Sequence, residues 1–464
     1  MSNVLTRIVD TKTEHIASLK KRFPEESLRP QISHRSLYRA LSGPKASFIL
    51  ECKKASPSKG LIRDDFDPQS IAATYSHYAS AVSVLTDEQF FQGDFDFIPL
   101  VRSQVDQPIL CKDFFISPYQ IKLAAHQGAD AILLMLSVLD NVQYRQLAAE
   151  AAKYRLDILT EVSNEEELHR AIALNAPLVG INNRNLRDLT TNIVNTERLA
   201  PKLPKDMLVI SESGIYTHAD VRQLAPLVNG FLVGSSLMAE DDLDLACRKL
   251  IFGHNKVCGI TRSSDLHAAA DAGAVYGGLI FAPQSSRKVT LEQALELAKS
   301  NREQKQHLLL VGVFVDAPTS EIVTVAVALK LDAVQLHGKE DDTALARLRE
   351  GLDNAGMSAT EIWKAIPVNA EGETAAISIP AHADRVLYDS KTGASFGGTG
   401  KAFNWQQPLP SKADAMLAGG LGPDNAAEAA EQGFFGLDFN SGVEVAPGIK
   451  DSDKIYDVLA AVRA

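Results

Sequence analysis

Two helix-like stretches open the chain, roughly Val4 to Phe23 and Ser33 to Leu41, and then the pattern of apolar positions changes. Short apolar or β-branched runs begin to alternate with longer stretches of helical period. Eight such runs precede residue 240: SFILEC at 47, SAVSVLT at 80, PILCK at 108, DAILLM at 130, LDILTE at 156, LVGIN at 178, MLVISE at 207 and GFLVG at 230. Intervening stretches such as Pro118 to Gly128 and Glu165 to Asn175 have the length and the Ala/Leu/Gln/Glu content of crossover helices. The alternation restarts with NKVCG at 255 and runs through YGGLIF at 276, LLVGVF at 309, DAVQL at 332, EIWKAI at 361, RVLYD at 385, AMLAG at 415 and FFGLD at 434. Nearly continuous apolar runs bounded by Gly and polar residues suit strands buried on both faces, as a parallel sheet requires.

Eight βα units in roughly 210 to 250 residues fit a (β/α)8 barrel, whereas a doubly wound open sheet usually has fewer strands. The predicted fold is therefore α/β, two tandem (β/α)8 barrels, the first with an N-terminal helical extension. The boundary is expected near Phe252 to Asn255, where LDLACRKLIFGHNK reads as a last helix, a Gly stop and a new strand. This gives domains of residues 1–254 and 255–464, and so short a link predicts that the barrels touch. The length of 464 residues agrees, because one hydrophobic core seldom organises more than roughly 250 to 300.

Composition narrows the function. The net charge of −11 disfavours nonspecific nucleic-acid binding, which needs a basic surface, so an anionic ligand must meet locally basic pockets. The N-terminal MSNVLTRIVDTKTEH lacks a long apolar run behind basic residues, and no stretch approaches the roughly 18 apolar residues of a membrane span. A cytoplasmic protein is expected, without membrane or nucleic-acid partners and monomeric. Cys52, Cys111, Cys247 and Cys258 form no close pairs, there is no HExxH, and the histidines are dispersed. Neither a disulfide framework nor a metal or other cofactor is implied.

Barrel enzymes commonly seat a phosphate on backbone N–H groups after strands 7 and 8, at the N-terminus of a short helix. The first half offers Glu212-Ser213-Gly214 and Gly234-Ser235-Ser236 at those places, and the second offers Gly419-Gly420-Leu421-Gly422 and Asn440-Ser441-Gly442. One Gly/Ser cluster is an ordinary turn; two correctly placed pairs point to phosphate. Gly397-Gly398-Thr399-Gly400-Lys401 resembles an ATP-binding P-loop, but Ser395 and Ala402 break the spacing, and it reads instead as a mobile loop over the site.

Glu51 and Lys53 lie two apart at the C-terminal end of the first strand, so period 2 turns both the same way. Lys112 ends the third strand, Glu161 the fifth, Asn182 the sixth and Glu212 the seventh. One strand-end charge is usually a solvated rim residue, but two lysines and three glutamates converging from several strands point to acid-base catalysis with shifted pKa values. The strings ILECKKASPSKG, SVLTDEQFFQG, ILCKDFF, LTEV, INNRNL, ISESGI and LVGSS, over about residues 1 to 254, resemble indole-3-glycerol-phosphate synthase. The resemblance implies closure of the ring of carboxyphenylamino-deoxyribulose phosphate with loss of water and carbon dioxide. It implies that Lys112 protonates the ketone, that Glu51 and Lys53 handle protons during dehydration, and that Glu161 and Asn182 orient and polarise the intermediate. Ser213, Gly214, Gly234 and Ser235 would hold the phosphate. Arg184 suits a substrate carboxylate or, equally, a surface salt bridge. Phe91 and Leu133 are either ring-pocket or plain core residues. Ser56 to Asp67 is a candidate lid, with Ser56 in contact, or simply a long exposed loop.

In the second half, Cys258 ends the first strand and Asp389 the sixth. A lone strand cysteine is usually a small buried hydrophobe, and a lone strand-end Asp is often a cap. The strings KVCGIT, GLIFAPQSSR, GVFVD, VQLHG, YDSKTGASFGGTGK, AGGLGPDN and DFNSGVEVAPGIKD, however, resemble phosphoribosylanthranilate isomerase over nearly all of residues 255 to 464. That family isomerises an aminoaldose to an aminoketose, which implies Cys258 as base and Asp389 as acid. The thiol must then be partly thiolate near neutral pH and the carboxyl must keep its proton, so their pKa values must move in opposite directions. Arg287 is expected on the anthranilate carboxylate, and Gly420, Ser441 and Gly442 on the phosphate. His337 and Asp438, at strand ends, are candidate contacts or supporting residues. The product of the second half is the substrate of the first, so both partners of the chain are phosphorylated anthranilate sugars. A scaffolding second barrel, or two inert phosphosugar sensors, would be expected to have lost the charged catalytic set.

Overall fold

The computed structural model describes residues 4–185, 188–369, 378–392, 395–396 and 403–464. All sixteen apolar runs become strands. In the first half these are Ser47–Cys52, Ala81–Leu85, Ile109–Lys112, Ala131–Met135, Asp157–Val162, Leu178–Asn182, Leu208–Glu212 and Gly230–Val233. Each pairs in parallel with its neighbours, and Ser47 to Leu50 align with Gly230 to Val233 to close the barrel. In the second half they are Lys256–Cys258, Tyr276–Ile280, Leu309–Phe314, Ala333–Leu336, Glu361–Asn369, Arg385–Thr392, Met416–Leu417 and Gly436–Phe439. Lys256 and Val257 close this barrel against Asp438 and Phe439, and the short strand Ser395–Phe396 adds antiparallel to the sixth strand.

The strands are apolar throughout because both faces are covered. Ala131–Met135 is buried at every position, one set of side chains filling the barrel and the alternate set lying under the helices. The first interior is built from Ile49, Ala81, Leu110, Leu133, Leu159, Ile210 and Leu232. The helices carry their own stops: Ser117 and Gln120 form a reciprocal cap ahead of Pro118–Gln127, and Gly128 ends that helix in the left-handed region. Two compact units divide at Cys247/Arg248, inside the helix Leu243–Phe252. No helix among the described residues is long and apolar enough to cross a membrane.

The N-terminal extension is tied to the first barrel by buried charge. In the helix Val4–Arg22, Lys12 is fully buried, with its ammonium 2.6 Å from Asp87 and 2.5 Å from Asp113. Those aspartates follow the second and third strands, so the helix is pinned to the catalytic end. The second helix is shorter than its pattern suggested, Leu37–Ala40 and not Ser33 to Leu41. Ser33 bonds to Asp130 and Ser36 to Asp157, while Ser36 also caps the helix, so hydrogen bonding holds residues 33–36 out of the helix.

Replacing Lys12 leaves two buried carboxylates without a cation. Lys12→Met is expected to destabilise the first barrel by about 3 to 5 kcal/mol. Urea unfolding followed by far-ultraviolet circular dichroism measures this, while the fluorescence of Trp363 and Trp405 reports the second barrel separately.

Candidate active sites

At the mouth of the first barrel, Glu51 is fully buried between two ammonium groups. Lys53 Nζ lies 2.5 Å from Oε1 and Lys112 Nζ 3.1 Å from Oε2, and Lys112 also reaches Glu212 Oε2 at 3.3 Å. Gly180 on the sixth strand makes room for this, since a Cβ there would stand 1.9 Å from Glu212 Oε1. Burial alone would push Glu51 up; Lys112 and Lys53 reverse that and bring it down to about 2. Burial pushes Lys53 down, whereas Lys112, facing Glu51, Glu212 and Glu161, moves up in spite of burial. Glu161 is pushed up to about 8 by burial and then by the neighbouring Glu212, which is itself raised by burial. Near neutral pH the mouth therefore holds an ionised Glu51, a cationic Lys112 and a largely protonated Glu161.

A cavity of about 80 Å³ brings together Glu51, Lys53, Ser56, Lys112, Glu161, Asn182, Arg184 and Ser213 on its polar side and Phe91 and Leu133 on its apolar side. A smaller neighbour of about 30 Å³ is lined by Ser213, Gly214, Gly234 and Ser235 beside the same two lysines. Ser213 and Gly214 both take left-handed backbone, φ 66° and 79°, and Lys53 Nζ donates to Ser235 Oγ at 3.4 Å. Arg184 donates to Ser58 in the loop after the first strand, and Arg63 in the same loop donates to the Glu240 carbonyl at 3.0 Å. With Ala55–Ser56 paired to Gly60–Leu61, that loop is an ordered, tethered flap. Val4, Leu5 and Ile8 also line the cavity. Their apolar spacing was visible in the sequence, but not the buried Lys12 contact that brings them there. A polar cavity of about 670 Å³, lined by Asn164, Asn195 and Arg198 among others, shares Asn182 and Arg184 with the first.

The second barrel opens on a cavity of about 580 Å³ lined by Cys258, Arg287, His337, Asp389, Gly420, Asp438 and Ser441. Gly442 is not in that lining. A Cβ on it would stand 2.0 Å from the Leu421 carbonyl oxygen, so its place is to let two strand-end loops pass each other. The loop 397–401 lies outside the described residues. Burial, reinforced by Asp438, pushes Asp389 up to about 7, and burial with Lys256 and Lys364 holds His337 down to about 3 and therefore neutral. The Cys258 thiol moves up and not down, because burial outweighs the opposing Lys256. Arg287 is gripped by Glu444, Nη2 to Oε2 at 2.7 Å and Nε to Oε1 at 2.9 Å.

Three charged residues of this site were missed. Lys256 is fully buried and bonds Asp438 Oδ2 at 2.7 Å and Gln335 Oε1 at 2.9 Å. Lys450 and Glu444 pair at 2.8 Å behind Arg287. The signal for Lys256 was available: it precedes Cys258 by two on the same strand, the spacing that singled out Glu51 and Lys53. Among the described residues no group of His, Cys, Asp and Glu is placed to hold a metal ion.

Residues 5–250 match the family model of indole-3-glycerol phosphate synthase, and residues 255–461 that of N-(5'-phosphoribosyl)anthranilate isomerase. The tryptophan biosynthesis protein TrpCF of Vibrio cholerae serotype O1 is 52% identical over 465 residues, covering 100% of this chain and 96% of that protein. The TrpCF proteins of Salmonella typhi and of Helicobacter pylori strain 26695 are 51% and 46% identical, each comparison covering 100% of both chains. Two complete barrels, each carrying its own charged mouth, and full-length similarity at this level place the chain in the TrpCF family of bifunctional tryptophan-biosynthesis enzymes, with an indole-3-glycerol phosphate synthase barrel followed by a phosphoribosylanthranilate isomerase barrel.

Proposed function

We propose that the second barrel converts N-(5-phosphoribosyl)anthranilate to 1-(2-carboxyphenylamino)-1-deoxyribulose 5-phosphate, and that the first closes this product to indole-3-glycerol phosphate. The observation that carries the reading is that each mouth gathers its candidate proton-exchanging groups around one cavity, Cys258 and Asp389 in the second barrel and Glu51, Lys53, Lys112 and Glu161 in the first, with burial raising Asp389 and Glu161.

In the second barrel, Asp389 gives its proton to the ring oxygen as the C1–O bond breaks and the anilino nitrogen lone pair forms the iminium. Cys258 as thiolate then takes the C2 proton. The C–H pair becomes the enamine double bond, and tautomerisation with protonation at C1 leaves the aminoketose. Arg287, held in orientation by Glu444, faces the carboxylate, while Gly420 and Ser441 meet the phosphate. His337, neutral, offers a ring nitrogen to a hydroxyl; Asp438 contributes by raising Asp389.

In the first barrel, Lys112 protonates the ketone oxygen as the ring carbon bearing the carboxylate attacks, and rearomatisation expels carbon dioxide. Loss of the hydroxyl as water follows, with Glu51 and Lys53 exchanging the proton and Glu161 and Asn182 polarising the intermediate; Glu212 holds Lys112 in place. Arg184 binds the carboxylate before it leaves, with Phe91 and Leu133 against the ring and Ser56 closing the edge. Ser213, Gly214, Gly234 and Ser235 seat the phosphate near Lys53. Small-molecule pockets usually need roughly 300 to 1,000 Å³, so the flap at Ser56 to Asp67 opens to admit substrate into a space now of about 80 Å³.

Both sites are assembled from one chain, which supports a monomer. We place the functional boundary between His254 and Asn255, and the enzyme in the cytoplasm, where phosphorylated sugars are retained because their charge opposes crossing lipid.

Lys112→Ala is expected to cut indole-3-glycerol phosphate formation by about 10² to 10⁴ while sparing isomerisation, and Cys258→Ala to do the reverse. Chromatographic product analysis checks both, with phosphoribosylanthranilate supplied to read isomerisation and the aminoketose supplied directly to read indole formation; loss of both activities in either folded variant defeats the assignment. Because Asp389 must be protonated, with a pKa of about 7, while Cys258 must be ionised and burial pushes its thiol up, isomerase kcat/KM is expected to rise with pH to about 7 and then level off, each further loss of the acid cancelling the further gain of thiolate. Asp389→Asn, which cannot donate as an acid, should abolish activity without a surviving alkaline limb.

A further inference from the structure

Cys258 sits among Ile280, Ala282 and Val313, apolar surroundings that disfavour a thiolate. A base for a carbon-bound proton must nevertheless be the thiolate, so the charged groups facing the sulfur decide how it is reached. Lys256 comes from its own strand, two residues back and on the same face. Asp438 comes from the eighth strand with Asp389 beyond it on the sixth, Lys450 from the ribbon Ile449–Lys450, Arg287 from the loop after the second strand, and neutral His337 from the fourth strand end.

Among these, the cation positioned for the sulfur is Lys256. Its ammonium has no solvent exposure, its chain packs beside Cys258 against Gly278, and it is fixed by Asp438 Oδ2 at 2.7 Å and Gln335 Oε1 at 2.9 Å. The adjacent Gly278 is shaped to the pair: a Cβ there would stand 2.8 Å from Cys258 Sγ and 2.9 Å from Lys256 Cε. The other two cations are engaged elsewhere, Lys450 by Glu444 at 2.8 Å and Asn440 at 3.0 Å, and Arg287 by Glu444 at 2.7 Å.

We propose that Lys256 is a positioning residue of the isomerase, its buried ammonium holding and stabilising the Cys258 thiolate while Asp438 limits how much of that charge the sulfur receives. The resting thiol releases its proton to solvent. The thiolate then accepts the C2 proton as the C–H pair moves into the enamine, and Lys256 keeps its protons throughout. This rests on the reading of Cys258 as the base.

Iodoacetamide alkylation of Cys258 in the full chain, followed against pH by peptide mass spectrometry, reads the thiolate without substrate, with Cys52, Cys111 and Cys247 as internal comparisons. In Lys256→Met the alkylation midpoint is expected to rise by about 1 to 3 pH units, and kcat of isomerisation to fall about tenfold or more with KM nearly unchanged. In Asp438→Asn the midpoint is expected to fall, because the sulfur loses a neighbouring anion and shares the ammonium with fewer partners. A purely structural role would lower the thermal midpoint seen by tryptophan fluorescence and leave the alkylation midpoint in place, and that result in folded Lys256→Met overturns the proposal. If Lys256→Met does not fold, Asp438→Asn decides: a lowered midpoint supports the proposal, and an unmoved or raised one overturns it. Isomerase activity surviving in Cys258→Ala would instead defeat the base assignment, a result independent of the alkylation midpoints.

Discussion

A carboxyl buried away from water resists ionisation, a second carboxyl beside it adds to the effect, and both active sites combine the two. In the first barrel Glu161 faces Glu212; in the second Asp389 faces Asp438. In each pair one carboxyl meets a lysine, Glu212 the partly exposed Lys112 at 3.3 Å and Asp438 the fully buried Lys256 at 2.7 Å. Burial raises all four carboxyls, and the lysine opposes that rise in the member it bonds. The same three-group arrangement, a raised carboxyl, a second carboxyl and an ammonium, thus recurs at two mouths whose reactions differ. The dependence runs outward: the lysines must reach the carboxyls, the strands must bring residues from opposite sides of the barrel together, and apolar packing must keep water away.

Buried ammonium groups cost several kcal/mol each unless a carboxylate accepts them. Lys12 meets that condition at the helix that covers the first mouth, with Asp87 and Asp113 directly after the second and third strands. The same extension supplies Val4, Leu5 and Ile8 to the apolar wall of the cavity. A helix outside the βα repeat therefore shapes the pocket, and its attachment is electrostatic where the pocket itself is half apolar. Lys112 and Lys12 draw on different acidic residues, since Lys112 faces Glu51, Glu212 and Glu161 while Lys12 takes Asp87 and Asp113.

Strand number, order and the strand-end residues were legible in the sequence because they follow from period and position. Glu51, Lys112, Glu161 and Asn182 each end a strand, and a closed parallel barrel sends all strand ends to one mouth. What was not legible needed partners far along the chain: Lys256 with Asp438 is a contact across 182 residues, and Arg287 with Glu444 one across 157. Gly442 was assigned to phosphate from its motif, whereas its hydrogen side chain is dictated by a carbonyl of a different loop. Residues 33–36 look helical in composition, yet two distant aspartates claim their hydroxyls. The direction of the Cys258 shift depends on side chains from three other strands, which no local pattern carries.

The contrast between a first cavity of about 80 Å³ and a second of about 580 Å³ bears on how the two chemistries are protected. The first mouth is overlain by a flap held by Arg184 at one end and by Arg63 on the Glu240 carbonyl at the other. Arg184 also lines the cavity, so one side chain meets both the flap and the space a carboxylate would occupy. On the proposed reading, a substrate carboxylate would compete with Ser58 for the same guanidinium, and a product without one would return Arg184 to the flap. The loss of carbon dioxide that drives the reaction therefore also removes the group that would hold that arginine away from its tether.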